Sequence, residues 1–267
     1  MSKTAGRTSS EAFDHCFVAL AYGDSPFLAG CLEHLRAQTR PSRIVVSTST
    51  PSPFVRRIAA DAGVRLFVNP ERRGIGADWN FALRISGARH VTLAHQDDIY
   101  YAQFLERTLD LFARRPEGEV AFTGAREIAD DGVVRWSKVS RVKDLIRRGT
   151  IGRTETVAGL RGRAFLAFGN PLPCSAVTFD IARLHGFRFS ERMASNLDWE
   201  AWWRLLQERR TFLHCAEPLI GRRYNDLTET ARLKKAGRRR LEDVEMFRAI
   251  WPPSVGDAIA RLYTAGY

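Results

Sequence analysis

Residues 90–100 read His90-Val91-Thr92-Leu93-Ala94-His95-Gln96-Asp97-Asp98-Ile99-Tyr100. An apolar run leads into two adjacent carboxylates, and a helical pattern follows from Tyr101. That order fits a buried strand presenting its acids at its carboxyl end, where open α/β sheets place their ligand sites. Neighbouring carboxylates repel one another and lose hydration there unless a cation or hydrogen-bond donors face them. The stretch therefore predicts a cation–diphosphate site. An Asp-Asp turn capping the next helix is the plain alternative.

Upstream, strands and helices alternate with short loops. Phe17–Tyr22 reads as a buried strand, and Gly23-Asp24-Ser25-Pro26 turns it into a helix with Ser25 as N-cap and Pro26 at the first helical position. Leu28, Cys31, Leu32 and Leu35 give that helix its apolar stripe up to Gln38. A second strand over 43–48 opens into the polar loop Ser49–Pro53, followed by a helix over 54–62. A third strand over 65–68 leads to Asn69-Pro70-Glu71-Arg72-Arg73-Gly74-Ile75-Gly76 and a helix over 77–86. Such alternation predicts βαβ units in a mostly parallel sheet, and right-handed crossovers bring the strand exits to one edge.

Downstream the pattern predicts a helix over 104–113, a strand over 119–128 and a turn at Asp130-Asp131-Gly132. Residues 136–170 are basic and irregular, read as loops and short helices over the site. A buried strand is expected over 174–179 and a helix over 196–206 with acids in its first turn, where the dipole favours them. Two short strands are expected over 211–215 and 219–221. From Glu229 the chain reads as basic helix, broken at Trp251-Pro252-Pro253.

Composition narrows the classes. The chain has 267 residues, 45% hydrophobic and 27% charged, enough for a substantial core. No run approaches the ~20 apolar residues of a membrane helix, and the polar first ten residues lack a signal-peptide core. The expectation is a cytoplasmic protein. Cys16, Cys31, Cys174 and Cys215 form no Cys-x-x-Cys pair, so buried thiols are expected in place of a disulfide or zinc site. The net charge of +11 is carried mainly by dispersed Arg without a nucleic-acid-binding signature. It suits a phosphate-bearing ligand or an anionic lipid surface better than nucleic acid.

Four local patterns, in order, resemble an inverting glycosyltransferase of family two with the GT-A fold. They are the opening strand, Tyr22 turn and helix ending in Gln38-Thr39; the loop and helix from Asn69 to Asn80; His95-Gln96-Asp97-Asp98 at the place of the Asp-x-Asp motif; and Leu197-Asp198-Trp199-Glu200-Ala201-Trp202-Trp203-Arg204-Leu205. The resemblance implies an α/β GT-A fold, a Rossmann-like mixed, mostly parallel sheet flanked by helices, with a helical C-terminal tail. It implies a disordered tail over 1–12, the transferase domain over 13–228 and a helical basic extension over 229–267.

The implied activity is hexosyl transfer from a nucleotide-diphosphate donor to a glycan or glycolipid hydroxyl, as in polysaccharide or cell-envelope synthesis. A divalent Mn²⁺ or Mg²⁺, held by Asp97 and Asp98, would screen the diphosphate. Asp198 matches the family's general base. Ala21, Tyr22, Ser47, Arg73, Gly74, Asn80, His95, Gln96, Asp97, Arg222 and Arg223 would line the nucleotide sugar. Trp199 and Glu200 would meet the acceptor, since aromatic faces suit sugar rings.

Three departures stand out. His95 replaces the first acid of the motif. Ser47-Thr48-Ser49-Thr50 stands where the family carries base-reading acids. The family's late His is missing around Arg223-Tyr224-Asn225. The basic stretch Arg232–Arg240 is read either as a contact with the inner face of an anionic membrane, or as a solvated helix or dimer contact. The rival readings are a degenerate transferase fold that only binds nucleotide sugar or glycan, a nucleotidyltransferase, and an RNA-binding protein. The second would need a Gly-rich basic loop after the first strand, which Ala21-Tyr22-Gly23-Asp24-Ser25 is not.

Overall fold

Strand β1 (His15–Ala21) is buried on both faces, so successive residues enter different cores. Cys16 and Val18 join one cluster, and Phe17, Ala19 and Ala21 the other. This is the period of two expected of a strand with helices on both sides. A computed structural model describes residues 14–135, 138–223, 232–233 and 237–264. The expected disordered tail over 1–12 and residues 234–236 of the basic stretch Arg232–Arg240 lie outside the described residues.

The chain continues through α1 (Leu28–Arg36), β2 (Arg43–Thr48), α2 (Pro53–Asp61), β3 (Arg65–Val68), α3 (Ile75–Ile85), β4 (His90–His95), β5 (Ile99–Tyr100), α4 (Phe104–Arg114) and β6 (Val120–Ile128). After β7 (Val134–Arg135) come α5 (Lys138–Thr150), β8 (Thr156–Val157), α6 (Gly159–Leu166), β9 (Val177–Asp180), α7 (Leu197–Gln207) and β10 (Phe212–Arg223). Helices α8 (Arg238–Ile250) and α9 (Pro253–Thr264) close the described chain. The strand order is β3-β2-β1-β4-β9-β6-β10-β5, with β7 on β6 and β8 on β10.

Strands β1, β2, β3 and β4 run parallel, as do β6 and β10, while β9 is antiparallel to both β4 and β6. The mixed, mostly parallel sheet is the one expected. Helices α1, α2 and α4 cover one face through Leu28, Leu32, Val55, Phe104 and Leu105. The other face is covered by α3, α6, α7, α8 and α9, through residues such as Trp79, Phe165, Trp202, Phe247 and Ala260. The C-terminal helices therefore share a core with α7.

Local differences from expectation have local causes. Helix α1 starts at Leu28 because Ser25 closes a turn instead, its hydroxyl accepting the Phe27 N–H at 3.3 Å. Ser52 caps α2 from outside, accepting the Val55 N–H at 3.1 Å with Pro53 at the first position. The two short strands expected after Thr211 are one strand, β10, with register shifts between Cys215 and Pro218 and between Pro218 and Ile220. Proline has no N–H for the ladder, so the strand bulges there rather than ending. Residues 138–150 form one 13-residue helix within the segment expected to hold loops and short helices. Cys16, Cys31 and Cys174 are buried free thiols, and Cys215 is free and half-buried.

Candidate functional site

Parallel pairing puts the exits of β1, β2, β3 and β4 on one edge of the sheet. There the Tyr22 N–H donates to Gln96 Oε1 at 3.1 Å, and Gln96 Nε2 donates to the Tyr22 carbonyl at 2.9 Å. This reciprocal pair ties the β1 exit to the acidic turn and leaves the Tyr22 side 60% exposed. Gly74 precedes α3 at φ +102°, a conformation open to glycine and strained for other residues. Asp78, in the first turn of α3, accepts from Ser49 Oγ at 2.7 Å and from Asn69 Nδ2 at 2.8 Å. The polar loop after β2 is thereby fastened to α3, a connection the sequence reading missed.

The acids follow β4. His95, Asp97 and Asp98 each offer one ligand atom, all within 4.8 Å of one another. Asp98 is buried; its Oδ1 accepts the Arg223 N–H at 3.0 Å, while Oδ2 and the His95 Nε2 have no hydrogen-bond partner. Burial, reinforced by the Asp97 charge, raises the Asp98 carboxyl above the usual carboxylate range; the nearby Ser175 hydroxyl, Arg222 and the Arg223 N–H pull the other way. Burial also keeps the His95 imidazole neutral, opposed by Asp97 and aided by Arg222. The neutral His95 Nε2 and the Asp98 Oδ2, both without a hydrogen-bond partner, join an Asp97 carboxylate oxygen in a donor set that fits Mn²⁺ or Mg²⁺.

The two arginines ending β10 divide their work. Arg223 is 8% exposed, donates through Nε to the Asp97 carbonyl at 3.0 Å and through Nη1 to the Ala129 carbonyl at 2.6 Å, and lies 4.1 Å from the Phe27 ring centroid. Its guanidinium is committed to holding the acidic turn. The Arg222 charge acts on His95, Asp98, Lys143 and Asp198. Its field therefore spans both the acidic turn and the start of α7.

Asp198 lies in the first turn of α7 and accepts the Trp199 N–H on Oδ1 at 2.8 Å. Burial raises its carboxyl, against the Trp199 N–H and the charges of Arg239, Arg222 and Lys143. Lys143, half-buried on α5, is pushed down to about 7 by burial and by Arg222 and Arg239, with Asp198 and Glu127 opposing. The sequence reading missed Lys143, and nothing in a segment so rich in Arg singles it out. Only the fold shows its neighbours.

Ser47, Asn80 and Trp199 are buried. Asn80 bolts α3 to residue 189, donating to the Phe189 carbonyl at 3.0 Å and accepting the Phe189 N–H at 2.8 Å. Trp199 donates to the Leu166 carbonyl at 3.0 Å. The Asn80 and Trp199 side chains lie inside the fold, where they tie α3 and α7 to their neighbours, while Ser47 lies near the end of β2 in register with Leu20, which pairs in turn with His95. Ala21 is likewise a buried strand end that offers backbone. Arg73 is exposed and pairs with Glu71 and Glu191, while Glu200 pairs with Arg204 at 3.0 Å.

The arrangement can hold a cation beside a polyanion, and the Arg222 charge reaches from there to a carboxylate of raised proton affinity, Asp198. The family model for glycosyl transferase family 2 matches residues 16–186. Among curated proteins none matches the chain by sequence. Solved structures share its shape at low identity. The mannosyltransferase PcManGT from Pyrobaculum calidifontis, in complex with GDP-Man and Mn²⁺, is 15% identical with a TM-score of 0.64, over 96% of this chain and 75% of that one. S. aureus TarS 1–349 in complex with UDP-GlcNAc is 14% identical with a TM-score of 0.63, over 94% and 71%. Glucosyl-3-phosphoglycerate synthase from Mycobacterium tuberculosis, with phosphoglyceric acid, is 12% identical with a TM-score of 0.54, over 86% and 78%.

Proposed function

The chain belongs to glycosyl transferase family 2, and from that premise we propose that it moves a sugar with inversion from a nucleoside-diphosphate donor to a hydroxyl of a glycan or glycolipid acceptor. The observation that carries this reading is the His95–Asp97–Asp98 cluster, with two orphaned ligand atoms, at the exit of β4. Asp97 and Asp98, with His95 beside them, would hold Mn²⁺ or Mg²⁺, and the bound cation would supply charge to the diphosphate and its leaving oxygen. The PcManGT complex with both GDP-Man and Mn²⁺ supports the choice of ion and donor class.

Asp198 takes the proton of the acceptor hydroxyl as that oxygen attacks the anomeric carbon. The bond from that carbon to the diphosphate oxygen breaks, and its electron pair leaves with the nucleoside diphosphate. A carboxylate whose proton affinity is raised by burial suits the task better than a fully solvated one. Arg222 and Lys143 supply positive charge toward the leaving diphosphate, and the exposed Tyr22 ring offers a face to the nucleotide base. No helix among the described residues is long and apolar enough to cross a membrane. The +11 charge favours an acceptor presented at an anionic lipid surface.

Thermal shift with UDP, GDP, dTDP and CDP, each with and without Mn²⁺, tests the reading. One nucleotide should stabilise the protein only when Mn²⁺ is present, and Asp97→Asn should abolish that increment. Equal shifts without metal, or wild-type transfer by Asp97→Asn, would remove the cation role.

A further inference from the structure

Helix α7 begins without a cap of its own: the Asn196 side chain makes no capping bond to it. That side chain instead donates through Nδ2 to Asp243 Oδ1 at 2.7 Å, on α8. One helical position away, Glu242 accepts three consecutive backbone N–H groups, from Ala194 at 2.9 Å, Ser195 at 2.7 Å and Asn196 at 2.9 Å. Glu242 is 2% exposed and Asp243 fully buried.

The same face of α8 adds two cations. Arg238 donates through Nε to Glu242 at 2.7 Å and through Nη2 to the Arg192 carbonyl at 3.0 Å. Arg239 donates through Nη1 to Ser195 Oγ at 3.3 Å. A glutamate buried among helices would normally be held neutral. Here the three N–H groups and Arg238 outweigh desolvation and lower its proton affinity, so it stays ionised. An ionised carboxylate just before the first turn of α7 also meets the positive end of that helix. Behind it, the Trp199 and Phe247 rings meet edge-on, their centroids 5.1 Å apart.

We propose that α8 is the positioning element of the transferase centre: Glu242 and Asp243 grip residues 194–196 and so fix the rotation and height of α7, on which Asp198 stands. The inference rests on the reading of Asp198 as general base. Glu242 touches no reacting atom; it acts through the backbone two to four residues before the base. A base displaced by about 1 Å loses much of the benefit of orientation, while donor binding at the exits of β1 and β4 is untouched. The C-terminal segment, which lies beyond the family match over 16–186, thus becomes part of the catalytic unit.

The test uses the full chain carrying Glu242→Ala, Glu242→Gln or Asp198→Asn. Glu242→Ala should raise amide hydrogen exchange at Ala194, Ser195 and Asn196 at least tenfold while amides of β1 and β4 stay protected. Its kcat should fall at least tenfold with donor KM and the nucleotide–Mn²⁺ thermal shift within twofold of wild type. The acid limb of its kcat profile should move as water reaches Asp198. Glu242→Gln, whose amide oxygen still accepts, should recover part of the rate, and it decides the matter if Glu242→Ala does not fold. A folded Glu242 variant with freed amides but wild-type kcat, beside an inactive Asp198→Asn, overturns the positioning role alone. Full turnover by Asp198→Asn overturns the base reading and this inference with it.

Discussion

Asp98 Oδ1 accepts the backbone N–H of Arg223 at 3.0 Å, joining the turn after β4 to the last residue of β10. The bond closes a loop of the fold at its most acidic point. It sets Arg223 against the Asp97 and Ala129 carbonyls and leaves Arg222, the adjacent strand residue, to act on His95, Asp98 and Asp198. Neighbouring residues of a strand point to opposite faces, so one arginine builds the site and the other charges it.

That division predicts opposite phenotypes for two adjacent substitutions. Arg223→Ala strips two buried carbonyls and the Phe27 face of their partner, and should cost about 2–4 kcal/mol in urea unfolding. Arg222→Ala should change stability by less than about 0.5 kcal/mol while lowering kcat by one to two orders of magnitude. Equal stability losses would show that the two side chains share one structural role.

Rate should respond to pH through two groups of opposite sign. The Asp198 carboxyl is raised by burial, so its basic form, and with it kcat, is lost as pH falls through a value above the ordinary carboxylate range. Lys143 is pushed down to about 7, so its charge is lost as pH rises through neutrality. In the free enzyme that weakens the hold on the donor, and kcat/KM should decline on the alkaline side. Lys143→Arg should erase the alkaline decline and leave the acid limb in place.

Stability should show a histidine signature in acid. His15 is buried between Ser42 Oγ at 2.7 Å and Thr92 Oγ1 at 2.9 Å, and burial lowers it to about 3. Its folded value lies below the unfolded one of 6.5, so the unfolded chain takes the proton first as pH falls. Stability from neutral His15 is complete above that value and is lost at up to about 1.4 kcal/mol per pH unit below it. Urea titrations at pH 7, 6 and 5 should therefore show the penalty of His15→Gln shrinking as pH falls. A penalty constant over that range would mean that His15 titrates normally in the fold.

Two glycines at the start of α3 should tolerate no methyl group. Gly74 sits at φ +102°, and a Cβ on Gly76 would run into the Ser190 carbonyl. Each alanine variant should lose about 2 kcal/mol or more. Gly76→Ala should also weaken nucleotide binding, since a shift of α3 drags Trp79, whose ring centroid lies 5.5 Å from that of His95. Unchanged melting for Gly76→Ala would mean that the 190 segment yields freely.

Local chemistry alone determined much of this protein. Alternation of apolar runs and amphipathic stretches specified the order β1 to β4 with its helices, since each period is a property of adjacent residues. The Asp97-Asp98 pair at a strand exit, and Asp198 among the first-turn acids of a helix, were legible for the same reason. Tertiary structure decided the rest. Whether Asn80 and Trp199 face a ligand or a neighbouring helix depends on what packs against them, and they lie inside. That β10 is one bulged strand follows from its pairing with β6. The burial that shifts Asp98, Asp198 and Lys143, and the grip of Glu242 on residues 194–196, join positions far apart in the chain. Desolvation and long-range hydrogen bonds exist only once the chain has closed on itself, so no window of sequence contains them.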